Sequence, residues 1–279
     1  TLLMADIIHG FRTIFPIPLA LGSTWDEAAV EKMAEISAKE AAVSGLHVTF
    51  SPMVDLVRDP RWGRVMESTG EDPLLNSRLA AAMVRGYQGE NLKEDNWRVA
   101  ACVKHFAAYG GALAGRDYNT VDMSERQLRE MYLPGYKAGL DAGAKLVMTS
   151  FNTVDGIPAT GNQWLFRDVL RNEFGFEGVV ISDWGAIKEL IPHGVAKDEK
   201  QAAELAIKAG VDIEMMTTCY PDYLKELLEE GRIAETLIDE AVMRILKLKN
   251  ELGLFENPYR GADEQAEAEV ILSKEDRKS

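Results

Sequence analysis

Short apolar runs alternate along the chain with longer stretches in which apolar residues recur every three or four positions. The runs fall at residues 2–8, 46–51, 99–105, 145–151, 178–183 and 211–216. The run at 178–183 is the clearest: GVVISD is apolar or small up to its last residue, is bounded by glycine and reads as a strand buried on both faces, as in a parallel sheet covered by helices. The amphipathic stretches predict helices at 26–44, 73–88, 124–142, 163–174, 200–209 and 221–230, with Ser124 or acidic turns before several of them and Gly45, Gly143, Gly175 and Gly210 after their helices. A repeated order of strand then helix is the signature of a parallel sheet, and the fold class expected is α/β, a TIM-type (β/α) barrel. About six strands are visible against the eight of a closed barrel, so the barrel is expected to be incomplete or irregular. A doubly wound sheet lacks its main support, because no glycine-rich dinucleotide loop follows any strand. A last helix at 234–252 carries Leu237, Val242, Ile245, Leu248 and Leu252 on one stripe and is expected on the outer ring. Beyond Phe255 the chain turns polar, which divides it into a barrel at 1–255 and, at 256–279, a linker or lead into an absent second domain.

Composition narrows the function without naming it. The 279 residues are 46% hydrophobic, ample for one large core. With 31 basic and 45 acidic residues the formal charge is −14, which disfavours nucleic acid and anionic membranes as partners and fits a neutral substrate, although solubility alone accounts for such a charge. Cys102, inside an apolar run, and Cys219, near a proline, give neither a disulfide framework nor metal-type spacing. The histidines at 9, 47, 105 and 193 are equally unpaired with other ligands, so no metal and no cofactor is expected. No signal-type segment or long apolar span is present, and localisation is not legible from the ends.

Polar groups with chemistry gather at one end of separate strands. Asp6 and His9 follow the first run, Lys104 and His105 end the third, Ser150, Phe151 and Asn152 end the fourth, and Asp183 with Trp184 ends the fifth. The C-terminal rim of a parallel barrel is where reacting groups collect. Each group also has a plain structural reading: Asp183 can cap a following helix, and a Lys–Asp pair or a backbone-satisfied histidine can be mere core. The long connection at 51–73 adds Arg58, Arg61, Trp62, Arg64 and Glu67, a mixture that suits sugar recognition, since an indole offers a flat apolar face and charged groups bind hydroxyls directionally. Some of these charges are equally suited to bracing the loop through ion pairs. Lys104 at a strand end admits another chemistry, an aldolase-type Schiff base, and a noncatalytic sugar-binding domain is a third reading.

The motifs DIIHG and FRTIFPIPLALGSTWD, then SPMVDLVRDPRWGRVMESTGEDP, KHFAAYG, YNTVDMSER, VMTSFNTVDGIPATGN and VVISDWGAIKEL, together resemble the N-terminal catalytic domain of glycoside hydrolase family 3, most closely its bacterial periplasmic-type β-glucosidases. The likeness runs in order from residue 1 to about 260. It implies a retaining, exo-acting β-glycosidase that removes terminal nonreducing β-D-glucosyl residues, with Asp183 as nucleophile. It also implies that Asp6, Arg64, Lys104 and His105 bind hydroxyls of the terminal sugar, that Trp184 forms part of its platform and that Met148 lies close by. A β-xylosidase of the same family is the alternative, and a periplasmic or secreted location follows from the resemblance only. Two departures matter. Phe151 stands where many relatives have a tyrosine whose hydroxyl supports the nucleophile, so that bond must come from elsewhere or be absent. The acid/base glutamate of such enzymes comes from a second domain of the same polypeptide, which this chain is expected to stop short of; Glu67, Glu71 and Asp117 are the acidic candidates within it. The family's N-acetylglucosaminidases take a histidine acid/base after the KHF motif, whereas here no histidine stands between His105 and His193.

Overall fold

The computed structural model describes residues 1–118 and 120–273. Its strands are β1 (Met4–Ala5), β2 (Val48–Thr49), β3 (Ala100–Phe106), β4 (Leu146–Thr149), β5 (Thr153–Val154), β6 (Ile157–Pro158) and β7 (Val179–Ile181). Its helices are α1 (Pro18–Thr24), α2 (Glu27–Val43), α3 (Pro73–Gln88), α4 (Glu125–Gln127), α5 (Leu133–Asp141), α6 (Glu199–Ala209), α7 (Cys219–Glu229), α8 (Glu235–Glu251) and α9 (Glu264–Val270). Strands β1, β2, β3, β4 and β7 pair in that order into one five-stranded sheet, parallel at every step. This is the expected barrel, incomplete.

The sixth predicted strand, 211–216, is reduced to one bridge between Ile213 and Ile181. The reason is local. Asp212 takes the Val180 N–H with its own carboxylate at 2.8 Å, in the place of a ladder carbonyl, and that carboxylate is held by Arg171 and Arg244 at 3.0 and 2.9 Å. Helix boundaries follow side-chain capping: Asp26 accepts from Ala29 N at the start of α2, and Asp72 from Leu75 N at the start of α3, where Pro73 takes the first turn. The predicted 124–142 helix is interrupted by a π-helical segment, Leu128–Tyr132, ahead of Pro134, and the 163–174 helix is π-helical over Trp164–Glu173.

Successive residues of the strands face opposite layers. Val99, Ala101 and Val103 join the outer core against the helices, while Ala100, Cys102, Leu146, Met148, Val179 and Ile181 fill the barrel interior. Helix α8 does not keep to the outer ring as expected. Leu237, Ile238 and Ala241 pack on the outer core, but Ile245, Leu248 and Leu252 enter the interior cluster, and Lys145 at the foot of β4 pairs with Glu251 at 3.0 Å. An open barrel leaves interior apolar surface uncovered, and the C-terminal half of α8 covers it from the floor. Val242, on the predicted stripe, is exposed.

Past residue 255 the described chain climbs from this floor. Arg260 is buried and donates to the Leu252 and Asp95 carbonyls, α9 packs on α2, and Leu272 N donates to Thr13 Oγ1 at 3.4 Å. The remainder of the segment read as a linker, 274–279, lies outside the described residues.

Candidate active site

Strand ends set the positions of the polar groups. Asp6 immediately follows β1, Lys104 and His105 lie at the C-terminal end of β3, Met148 is in β4, and Asp183 and Trp184 follow β7. The β2 connection is drawn along β3 by the Met53–Lys104 bridge and by Val54 N donating to Lys104 O at 2.8 Å, which brings Arg64 over the same rim. Asp6, Arg64, Lys104, His105, Met148, Asp183 and Trp184 line one cavity of about 360 Å³, with Glu67 beside Arg64 and Phe50 and Met215 supplying apolar wall. The seven residues that the resemblance implied for catalysis and sugar contact thus share one cavity, whereas His9, Phe151, Glu71 and Asp117, also singled out from the sequence, do not line it. A wider hollow of about 1000 Å³ between α2, α3 and residues 89–98 is walled by ion-paired Glu31, Arg85, Glu35 and Arg98, and nothing in it matches this convergence.

Asp183 is the most buried of the carboxylates lining the cavity. Its backbone N–H donates to Thr149 Oγ1 at 3.2 Å, and that hydroxyl is 2.9 Å from Thr160 Oγ1, so the end of β4 fixes the turn after β7. One carboxylate oxygen, Oδ1, accepts from Trp184 N at 2.6 Å. The other, Oδ2, is buried with no hydrogen bond among the described residues, and His105 Nε2 lies 3.4 Å from it. The capping reading of Asp183 fails on geometry, because only the next residue's amide is engaged and the following segment is a turn and a short 3₁₀ helix, Lys188–Leu190. Phe151 is buried, its ring 5.7 Å from Tyr109 and 4.4 Å from Tyr118.

Around Asp183 stand two cation–carboxylate pairs. Lys104 is buried and its Nζ reaches Asp6 Oδ1 at 2.5 Å, while the Asp6 side chain remains 63% exposed toward the cavity. The nitrogen a Schiff-base mechanism needs is thus occupied as an ammonium partner of a carboxylate. Arg64 grips Glu67 in two parallel bonds of 2.7 and 2.9 Å and lies 5.6 Å from the Tyr109 ring. Burial works against the guanidinium charge, but the Glu67 pair outweighs it and holds the pKa of Arg64 above its ordinary value. Trp184, 64% exposed, stands at the mouth with its indole unused by the core.

Some neighbours serve the frame. His9 is bound through Nδ1 to Phe15 O at 3.0 Å, Asp117 accepts from Trp62 Nε1 at 2.9 Å, and Arg61 pairs with Asp59, so the loop braces itself in part. Cys102 and Cys219 are buried thiols, and burial pushes Cys219 up to about 12. Two residues that sequence reasoning missed are Asp55 and Tyr136, both buried and both bonded to His105. The signal available for Asp55 was a lone carboxylate inside the apolar stretch Met53, Val54, Leu56, Val57. Tyr136 carried none.

With this geometry established, the relatives become informative. The periplasmic β-glucosidase of Salmonella typhimurium is 48% identical over 254 residues, which is 91% of this chain and 33% of that protein. A β-xylosidase of Formosa agariphila is 36% identical, over 96% of this chain and 41% of its own length. The crystal structure of the Listeria innocua β-glucosidase in complex with glucose superposes with a TM-score of 0.97 at 63% identity, covering 99% of this chain and 38% of that one. The chain spans about a third of the length of such relatives. Residues 1–248 match the family profile described as the glycosyl hydrolase family 3 N terminal domain, and the chain belongs to that family.

Proposed function

We propose that the polypeptide containing this chain is a retaining β-glucosidase in which Asp183 attacks the anomeric carbon of a terminal β-D-glucosyl residue. The observation that carries this reading is that Asp183, its Oδ2 without a hydrogen bond among the described residues, lines a cavity ringed by Lys104–Asp6, Arg64 and His105. A nucleophilic carboxylate needs an uncommitted oxygen directed at the sugar, and the ringing donors and acceptors suit hydroxyl groups. Attack forms the glycosyl ester on Asp183 as the aglycone oxygen leaves with a proton; water then cleaves the ester, returns the carboxylate and releases β-glucose. The Trp184 indole is placed to stack on a sugar face.

The proton donor is the part not supplied here. A retaining pair needs a second, protonated carboxyl about 5–5.5 Å from the nucleophile. The other carboxylates lining the cavity, Asp6 and Glu67, are already engaged by cations, Lys104 and Arg64 respectively. Asp117 is engaged by Trp62, and Glu71 does not line the cavity. The donor accordingly comes from a second domain of the same polypeptide, in line with relatives some three times longer than this chain. Proton NMR of early hydrolysis by the full-length protein tests the stereochemistry: β-glucose forms first and mutarotates later, whereas α-glucose as first product would sink the retaining mechanism. The 36% identity to a β-xylosidase keeps xylosides in view, and the same assay with p-nitrophenyl β-xyloside compares the two sugars. Glucoside turnover exceeds xyloside turnover on the present reading. Residues 1–279 alone should not cleave cellobiose but should release dinitrophenol slowly from a dinitrophenyl β-glucoside, whose leaving group needs little protonation. Rapid cellobiose cleavage by this chain, abolished by changing Glu67, Glu71 or Asp117, would place the acid inside it.

A further inference from the structure

His105 faces Asp183 on one side and a fully buried carboxylate on the other. Asp55 is 0% exposed. Its Oδ2 lies 2.7 Å from His105 Nδ1 and also accepts the His105 backbone N–H at 3.1 Å, while Oδ1 lies 2.7 Å from the Tyr136 hydroxyl. That hydroxyl also reaches the His105 carbonyl at 2.6 Å and accepts from Ala108 N at 3.2 Å. Ser68 Oγ donates to the Asp55 carbonyl at 2.7 Å and pins the loop that carries it. Tyr109 packs edge-on against the imidazole, 5.2 Å between ring centres, so the ring is held on its flank as well.

Burial penalises the Asp55 charge, yet the charge and hydrogen bonds of His105 and the Tyr136 bond outweigh it, leaving the carboxyl below its ordinary pKa. An ionised carboxylate only accepts hydrogen bonds. The proton between Asp55 and His105 therefore belongs to Nδ1, and Nε2 is the ring atom turned toward Asp183 Oδ2, 3.4 Å away. Which nitrogen of a histidine faces a site is set by the bond the other nitrogen makes.

We infer that Asp55 is a positioning residue that keeps the His105 proton on Nδ1 and thereby presents Nε2 to Asp183 and to the bound sugar. This rests on the assignment of Asp183 as nucleophile, but not on it alone, since the tautomer can be observed without turnover. Removing the Asp55 charge frees the ring to carry its proton on Nε2 or to turn over, which changes both what the ring offers the nucleophile and the electrostatics of the developing ester. Tyr136 supports Asp55 without contacting the ring nitrogens, and its loss should leave the tautomer intact.

The test is long-range proton–nitrogen NMR of residues 1–279, in which the four histidines give a sparse spectrum, together with kinetics of the full-length protein. Expected for the wild type is a proton on His105 Nδ1. Asp55→Asn should populate the Nε2–H tautomer and lower kcat by about 100-fold, with KM changing much less. Tyr136→Phe should keep the wild-type tautomer and most of kcat. A neutral His105 protonated on Nε2 alone in the wild type would overturn the inference even if Asp55→Asn fails to fold, as would an Asp55→Asn protein with unchanged tautomer and kcat. If the full-length wild type shows no glycosidase activity, the functional reading fails while the spectrum still decides the role of Asp55.

Discussion

Asp183→Asn in the full-length protein loses hydrolysis by on the order of 10⁴-fold, equivalent to about 5.5 kcal/mol of transition-state stabilisation, while the fold is retained. The amide is nearly isosteric, and its oxygen can still accept the Trp184 N–H that Oδ1 accepts now. What disappears is the negative charge that, on the proposed mechanism, forms the ester and faces an oxocarbenium-like transition state. Azide distinguishes this from the loss of a proton donor. With the nucleophile gone, azide displaces the aglycone directly and gives the α-glucosyl azide; a β-azide product would mean that the ester still forms and that Asp183 has another role. Circular dichroism and denaturant midpoints close to wild type are part of the expected result.

The second large effect belongs to Lys104. Its side chain is 4% exposed, whereas that of its partner Asp6 is 63% exposed. The pair is therefore asymmetric: the ammonium is the buried member, and the carboxylate is already open to the cavity. Lys104→Met leaves Asp6 with a route to solvent, so stability should change little. A charged hydrogen bond to sugar hydroxyls is worth about 1.5–3 kcal/mol, and kcat/KM should fall by roughly 10²-fold. Asp6→Ala is the harsher change, because it strands a buried ammonium; its kcat/KM should fall further and its denaturation midpoint should also drop. Wild-type kcat/KM in Lys104→Met would remove this pair from the substrate site.

How far the sequence foretold the structure depended on whether the governing interaction was local. Helices α2 and α3 were expected at 26–44 and 73–88 and occur at Glu27–Val43 and Pro73–Gln88, because Asp26 and Asp72–Pro73 act within one turn of the ends they define. The strands were harder. The first run, 2–8, pairs only at Met4–Ala5, since an apolar run reports burial on both faces and not the length of the ladder that a neighbour can match. The turn at Asp155–Gly156, both with positive φ, closes the β5–β6 hairpin, and the Asp-Gly signal was present but unused. The stripe on α8 showed that one face was apolar but could not say that the face turns from the outer core to the barrel floor along its length. Asp6, Lys104, His105, Asp183 and Trp184 were legible because strand ends of a parallel barrel converge, so that the set is informative where each run alone is not; Arg64 came from the long connection and Met148 only from the resemblance. Asp55 and Tyr136 were not, since a buried carboxylate and hydroxyl gain their meaning from His105, 50 and 31 residues away.

The most direct test of the account is covalent trapping. A 2-deoxy-2-fluoro-β-glucoside with a dinitrophenyl leaving group, incubated with the full-length protein, slows the breakdown of the ester and lets it accumulate; proteolysis and fragment mass spectrometry then locate the sugar. The account predicts a burst of dinitrophenol, one fluoroglucosyl group per chain, and fragment ions that place it on Asp183, with no label in Asp183→Asn. A fluoroglucosyl group on Glu67 or Asp6, or a burst with Asp183 unlabelled, would contradict it.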